Sequence, residues 1–144
     1  MPLNYENPIP KIIIADDDAD DHFFLSKALS DTGLSASTDS VYSGVQLLKL
    51  LRDGAEADLI FLDLNMPILD GYGVLNEMRN LGLLEKINVY VLSTSKNEVD
   101  KIKSIAYGAS GYFTKPAVYA ELQEIASKVC RQWQQNRNHL FSGA

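Results

Sequence analysis

The chain has 144 residues, of which 46% are apolar and 22% charged, with a formal net charge of −6 and a single cysteine. That length fits one domain able to bury a core without staples, and the lone Cys130 allows no internal disulfide and suits a reducing cytoplasm. The acidic balance argues against non-specific nucleic-acid or anionic-membrane binding, since both need basic patches. Residues 1–10 lack the basic and apolar regions of a secretory signal, and no stretch approaches the roughly 20 apolar residues that span a bilayer.

Residues 1–10 read as an N-terminal extension and 11–135 as the domain. Ile12, Ile13, Ile14 and Ala15 form a continuous apolar run of mainly β-branched residues, as in a strand covered on both faces. Asp18 is placed to cap a helix from about Ala19 that carries Phe24, Leu25, Ala28 and Leu29 on one face, with Gly33 as its stop. A weak polar strand over 36–41 follows. Ser43 then caps a helix bearing Val45, Leu47, Leu48 and Leu51. Leu59 to Leu62 make the next buried strand, closed by Asp63. A loop bounded by Pro67 and Gly71 leads into a helix over Tyr72–Asn80. Val89 to Leu92 are strand-like and end in the hydroxyl run Ser93-Thr94-Ser95; a helix over Asn97–Tyr107 and a short strand over Gly111–Thr114 come next. Leu122, Ile125, Ala126, Val129, Cys130 and Trp133 recur at i, i+3, i+4, i+7, i+8 and i+11, the stripe of a last amphipathic helix. Residues 136–144 are polar and read as a flexible C-terminal tail.

Five β-α units in alternation imply a parallel sheet with helices on both faces. Right-handed crossovers leave few arrangements, and the expectation is a flavodoxin-like (βα)5 doubly wound sheet of order 2-1-3-4-5, an order for which a chemotaxis receiver is a standard example. In such sheets ligands bind outside the carboxyl ends of the strands. Those ends carry Asp16-Asp17-Asp18, then Asp63, Ser93-Thr94-Ser95 and Lys115-Pro116.

Several acids at a dry strand end repel one another unless neutralised. A hard divalent cation does this, and Mg²⁺, with Mn²⁺ as the alternative, prefers such oxygen ligands. The spacing of acids is not that of an EF-hand, and Cys130, His22 and His139 lack thiolate or imidazole ligand spacing. One carboxylate beside such a cation can attack a phosphoryl group, with Lys115 neutralising the equatorial oxygens and Ser93 hydrogen-bonding one of them.

These residues closely resemble the receiver domain of two-component response regulators, over roughly Lys11 to Trp133. In Ile12-Ile13-Ile14-Ala15-Asp16-Asp17 the aspartates stand at the family's metal-binding acidic pair. Asp63-Leu64-Asn65-Met66-Pro67 with Asp70-Gly71 matches the segment around the phospho-acceptor. The resemblance therefore implies Asp63 as acceptor and as a metal ligand together with Asp16, Asp17 and the backbone carbonyl of Asn65. Ser93 follows Asp63 by 30 residues, at the position of the family's hydroxyl switch, and Lys115 follows Ser93 by 22, at the position of its essential lysine. Tyr112 falls where an aromatic residue changes rotamer. Lys115-Pro116 matches a bond that the family commonly keeps cis, so Pro116, like Gly71, is read as structural. Thr94 is the alternative to Ser93 if the register slips by one, and Asn88 stands where proline is common. Asp18, Asp20 and Asp21 read as a helix-start charge run.

The implied function is that of a stand-alone cytoplasmic switch, not an enzyme in the ordinary sense, though it assists its own phosphorylation and dephosphorylation. Its phosphoryl donor would be a histidine kinase or phosphotransfer protein and its output a downstream protein partner, with no nucleic acid or membrane as partner. A monomer or weak homodimer is expected. Two competing readings are a degenerate receiver acting as a scaffold and an aspartyl-nucleophile phosphatase of the haloacid dehalogenase type. The latter needs a second acid where this chain has Asn65, and an amide does not transfer a proton in that way.

Overall fold

Strands whose residues are apolar on both faces can be stable only with helices on either side, and that is the arrangement adopted. A computed structural model describes residues 9–33 and 36–142, with side chains as far as Arg137. Residues 1–8 of the expected N-terminal extension, the last two residues and the side chain of His139 lie outside the described residues.

The elements run β1 (Lys11–Ala15), α1 (Ala19–Asp31), β2 (Ser37–Val41), α2 (Gly44–Arg52), β3 (Leu59–Leu62), α3 (Gly71–Asn80), β4 (Asn88–Ser93), α4 (Glu98–Ala106), β5 (Gly111–Thr114) and α5 (Tyr119–Ser142). A 3-10 turn at Leu83–Glu85, not anticipated, precedes β4. The strands form one sheet in the order β2-β1-β3-β4-β5, all pairs parallel. This is the flavodoxin-like order expected from the alternation.

Alternate strand residues feed two separate cores. Ile13, Ala15, Ile60, Leu62, Val89 and Val91 pack with Leu47, Leu48 and Leu51 of α2 and with Val74, Leu75 and Met78 of α3. Ile12, Ile14, Leu59, Phe61, Tyr90 and Leu92 pack with Leu25, Ala28 and Leu29 of α1 and with Ala126, Val129, Cys130 and Trp133 of α5. The α5 stripe thus sits where its spacing placed it. The weakness of β2 in the sequence also has a reason: it is an edge strand with only Val41 buried.

Three local readings change. Phe24 and Val45 were expected on core faces but are 47% and 53% exposed. A sheet face accepts only a narrow stripe of each helix, which Leu25, Ala28 and Leu29 already fill on α1 and Leu47, Leu48 and Leu51 on α2. Phe24 instead lies at the rim against Phe23 and Tyr119. The third concerns residues 136–142, read as tail, which continue α5 to Ser142.

The helix caps are those the sequence supplies. The side chain of Asp18 accepts from the Asp20 and Asp21 amides, that of Ser43 from Gln46, and that of Asp70 from Gly73, each satisfying orphan donors of a first turn. Asn97 caps α4 in the same way rather than opening it. Between β3 and α3 the chain turns sharply. Ile68 has φ 70° with its side chain in water, a conformation that costs a β-branched residue about 1–2 kcal/mol. Gly71 is required for a different reason, close approach: a Cβ there would lie 2.8 Å from both the Asp63 carbonyl oxygen and Leu64 Cα. Gly71→Ala is therefore expected to cost about 1–3 kcal/mol, whereas Ile68→Gly relieves strain and is neutral or stabilising. Urea unfolding of the two variants checks this, and equal effects would refute the steric account.

Candidate functional site

The sheet register continues past the strand ends and sets the site. The amide of Asp16 donates to Val41 O (3.2 Å) and that of Asp63 to Ala15 O (2.9 Å), so the two aspartates emerge side by side from β1 and β3. Each commits one carboxylate oxygen to its own loop. Asp16 Oδ1 accepts from the Asp18 amide at 2.9 Å, and Asp63 Oδ1 accepts from the Asn65 amide at 3.3 Å. The other oxygen of each faces the same ammonium. Lys115 Nζ lies 2.9 Å from Asp16 Oδ2 and 3.7 Å from Asp63 Oδ2. Asp17 stands at the mouth, exposed, and carboxylate oxygens of Asp16, Asp17 and Asp63 come within 4.8 Å of one another.

Lys115 reaches this place through β5. Ser93 pairs with Thr114, and the Lys115 amide donates to Ser93 O at 2.7 Å. Its side chain is 15% exposed and makes its shortest contact, 2.6 Å, to Asp21 Oδ2 on α1. The Lys115–Pro116 bond is trans, since no cis peptide occurs among the described residues. The resemblance implied cis; before proline the two isomers differ by only about 0.5–1 kcal/mol.

Ser93 is fully buried at the end of β4, and its Oγ accepts from the Ser95 amide at 3.2 Å. Thr94, the alternative by one residue, is exposed. Tyr112 donates its hydroxyl to Ser95 O at 2.6 Å, and Thr114 Oγ1 approaches the same carbonyl at 3.4 Å. The Ser95 hydroxyl donates to Asp100 Oδ2 on α4, whose Oδ1 accepts from Tyr72 (2.6 Å each). The β4–α4 loop is thus tied to both neighbours, a network that spacing alone did not reveal because it joins four elements.

Two further residues were missed. Asp21, read as part of a charge run, is a partner of Lys115; the contact depends on how α1 crosses the sheet, which no local pattern encodes. His22 is buried, its ring against Tyr42 with centroids 4.3 Å apart. Its Nε2 donates to the backbone carbonyl of Asp16 at 2.7 Å, because a carbonyl oxygen only accepts. A signal existed here: His22, Leu25 and Leu29 recur at i, i+3 and i+7 on the buried face of α1.

Electrostatically the site holds more negative charge than it neutralises. Burial pushes the Asp63 carboxyl up to about 6; Lys115 opposes this and the Asp16 charge adds to it. Burial also raises Asp16, against the Lys115 and Asp18 contacts. For Lys115 burial acts downward, but hydrogen bonds to Asp21 and Asp16 outweigh it and hold the ammonium above its ordinary value. An all-oxygen donor set with surplus negative charge and an open mouth fits a hard divalent cation.

Residues 12–127 match the family described as the response regulator receiver domain. The chain belongs to that family. Over 115 residues it is 34% identical to the transcriptional regulatory protein PrrA of Mycobacterium leprae (strain TN), an alignment covering 78% of this chain and 46% of PrrA. It therefore spans less than half the length of the curated relatives it first matches. The phosphorylated cyanobacterial phytochrome response regulator RcpA superposes with a TM-score of 0.79 at 32% identity, over 88% of this chain and 94% of RcpA. The Mn²⁺-bound form of response regulator Rcp1 gives a TM-score of 0.77 at 27% identity, over 87% and 94%. Receiver domains are signalling switches of two-component systems that work with histidine kinases or phosphotransfer proteins. No helix among the described residues of this receiver is long and apolar enough to cross a membrane.

A carboxyl whose pKa rises on folding, here from 3.8 to about 6, binds its proton more tightly in the native state. The stability it confers is complete below about pH 4 and is lost as pH rises through about 6. In metal-free buffer Asp63→Asn is thus expected to stabilise the receiver near neutral pH by up to about 3 kcal/mol and to have no advantage below about pH 4. Urea titrations across pH measure this; a gain that persists in acid would rule out charge burial as its cause.

Proposed function

We propose that this receiver accepts a phosphoryl group from a phosphohistidine donor onto Asp63, in a Mg²⁺-dependent reaction. The observation that carries the reading is the placement of Asp63 Oδ2, buried at a strand end and facing Lys115 Nζ at 3.7 Å within a three-carboxylate cluster. In the transfer, an Asp63 oxygen forms a bond to phosphorus as the bond from phosphorus to the donor's imidazole nitrogen breaks, and the electron pair stays with that nitrogen. Lys115 neutralises charge on the transferred oxygens, and the loop amide of Asn65 holds the other Asp63 oxygen so that a single lone-pair face is presented.

Asp16, Asp17 and Asp63, with the Asn65 carbonyl, would hold Mg²⁺, or Mn²⁺ in its place. When bound it supplies positive charge to the phosphoryl oxygens. His22 steadies the Asp16 backbone and so the floor of this ligand set.

The switch runs through Ser93. A phosphoryl oxygen on Asp63 is a stronger acceptor for its hydroxyl than any present partner, and Ser93 Oγ already contacts the Ser95 amide. Movement there is passed to Ser95, whose carbonyl holds Tyr112 and whose hydroxyl holds Asp100 of α4. The readout is then a change in the faces of α4 and β5, recognised by a protein partner.

Incubation with Mg²⁺ and acetyl phosphate should yield a single hydroxylamine-labile adduct by intact-mass spectrometry. Asp63→Asn and chelation of the metal should each abolish it, and Lys115→Ala should slow its formation by at least about 100-fold. An adduct retained in Asp63→Asn would refute the assignment; an inert wild-type protein would favour the scaffold reading.

A further inference from the structure

We propose that Asp21 is a positioning residue that holds Lys115 away from the acceptor in the resting state, so that phosphorylation must draw the lysine off it. The proposal rests on the assignment of Asp63 and Lys115 above.

The geometry is asymmetric. An ammonium has three N–H donors. Lys115 places its shortest contacts on Asp21 Oδ2, 2.6 Å, and Asp16 Oδ2, 2.9 Å, while Asp63 Oδ2 at 3.7 Å is beyond hydrogen-bond reach. The lysine is therefore parked on the α1 side of the crevice. When a cation occupies the acidic pair, Asp16 is committed to it, and Asp21 becomes the main anchor that competes with Asp63.

The two competitors differ in environment. The Asp21 side chain is 38% exposed and that of Asp63 only 6%. Asp21 can return to water when Lys115 leaves, at little desolvation cost, whereas a new anionic group on Asp63 cannot be hydrated as fully and gains more from the ammonium. Asp21 thus makes the lysine's move toward Asp63 conditional on added charge there. Its position in the first turn of α1 holds its backbone steady, because its amide is bonded to the Asp18 cap.

Beryllofluoride binding in the presence of Mg²⁺, followed by ¹⁹F nuclear magnetic resonance on the full chain, tests the idea without turnover. Asp21→Asn, which keeps an acceptor oxygen but removes the charge, should tighten binding by about 3- to 10-fold. Asp20→Asn makes the same charge change in the same helical turn, where the structure places no contact to Lys115. It should shift affinity less than about 2-fold, as expected for an exposed charge. Asp21→Glu should return affinity toward wild type. Both asparagine variants leave the Asp18 cap intact, so helix content by circular dichroism should match the parent. Unchanged or weakened binding in Asp21→Asn, or an equal gain in Asp20→Asn, would overturn the latch while leaving the acceptor assignment standing. A wild-type protein that does not bind beryllofluoride would remove both.

Discussion

The site depends on one electrostatic constraint: two carboxylates, Asp16 and Asp63, are brought out of water side by side and share the ammonium of Lys115. Two adjacent buried charges of one sign are tolerable only with compensation, and one lysine offsets one of them. The remainder favours either protonation of the Asp63 carboxyl, whose pKa burial raises, or a bound cation. The same surplus of negative charge at an all-oxygen donor set fits a hard divalent cation. Stability is given up where chemistry is needed.

That constraint is imposed by the sheet. Parallel strands all end on one edge, and the order β2-β1-β3-β4-β5 puts β1 and β3 next to each other with β4 and β5 following. Acids ending β1 and β3 and a lysine following β5 therefore meet from distant parts of the chain, at the same sheet edge on which Ser93 ends β4. The ladder bonds extend into the loops, as in Asp63 to Ala15 and Lys115 to Ser93, so side-chain positions inherit the rigidity of the sheet. Gly71, pressed against the Asp63 and Leu64 backbone, closes the loop after Asp63 from the other side.

Beyond the sheet edge the contacts become polar and exchangeable. Ser95 joins β4 to Tyr112 and to Asp100 of α4 through hydrogen bonds, and α4 buries only Ser104 while Val99, Ile102 and Ile105 stay exposed. A helix held this way has a smaller apolar penalty for shifting than α1 or α5, each of which buries a full stripe. The acids are thus placed rigidly by the sheet, while α4 is attached mainly through polar contacts.

The sequence by itself determined the element order, the sheet class, the caps Asp18 and Ser43, and the residues that end each strand. These follow from short-range rules: apolar runs, 3.6-residue stripes, capping side chains and motif spacing within a single βα unit. It therefore pointed to Asp16, Asp17, Asp63, Ser93 and Lys115 before any coordinates. Only the tertiary structure decided that Lys115 rests on Asp21 rather than Asp63, that His22 braces Asp16, that Phe24 and Val45 face water, and that Ser95 ties β5 to α4. Each of these turns on the angle and offset at which one element crosses another. Such crossings are set by packing of the two cores as a whole, through contacts between residues far apart in the chain, and no window of sequence contains them.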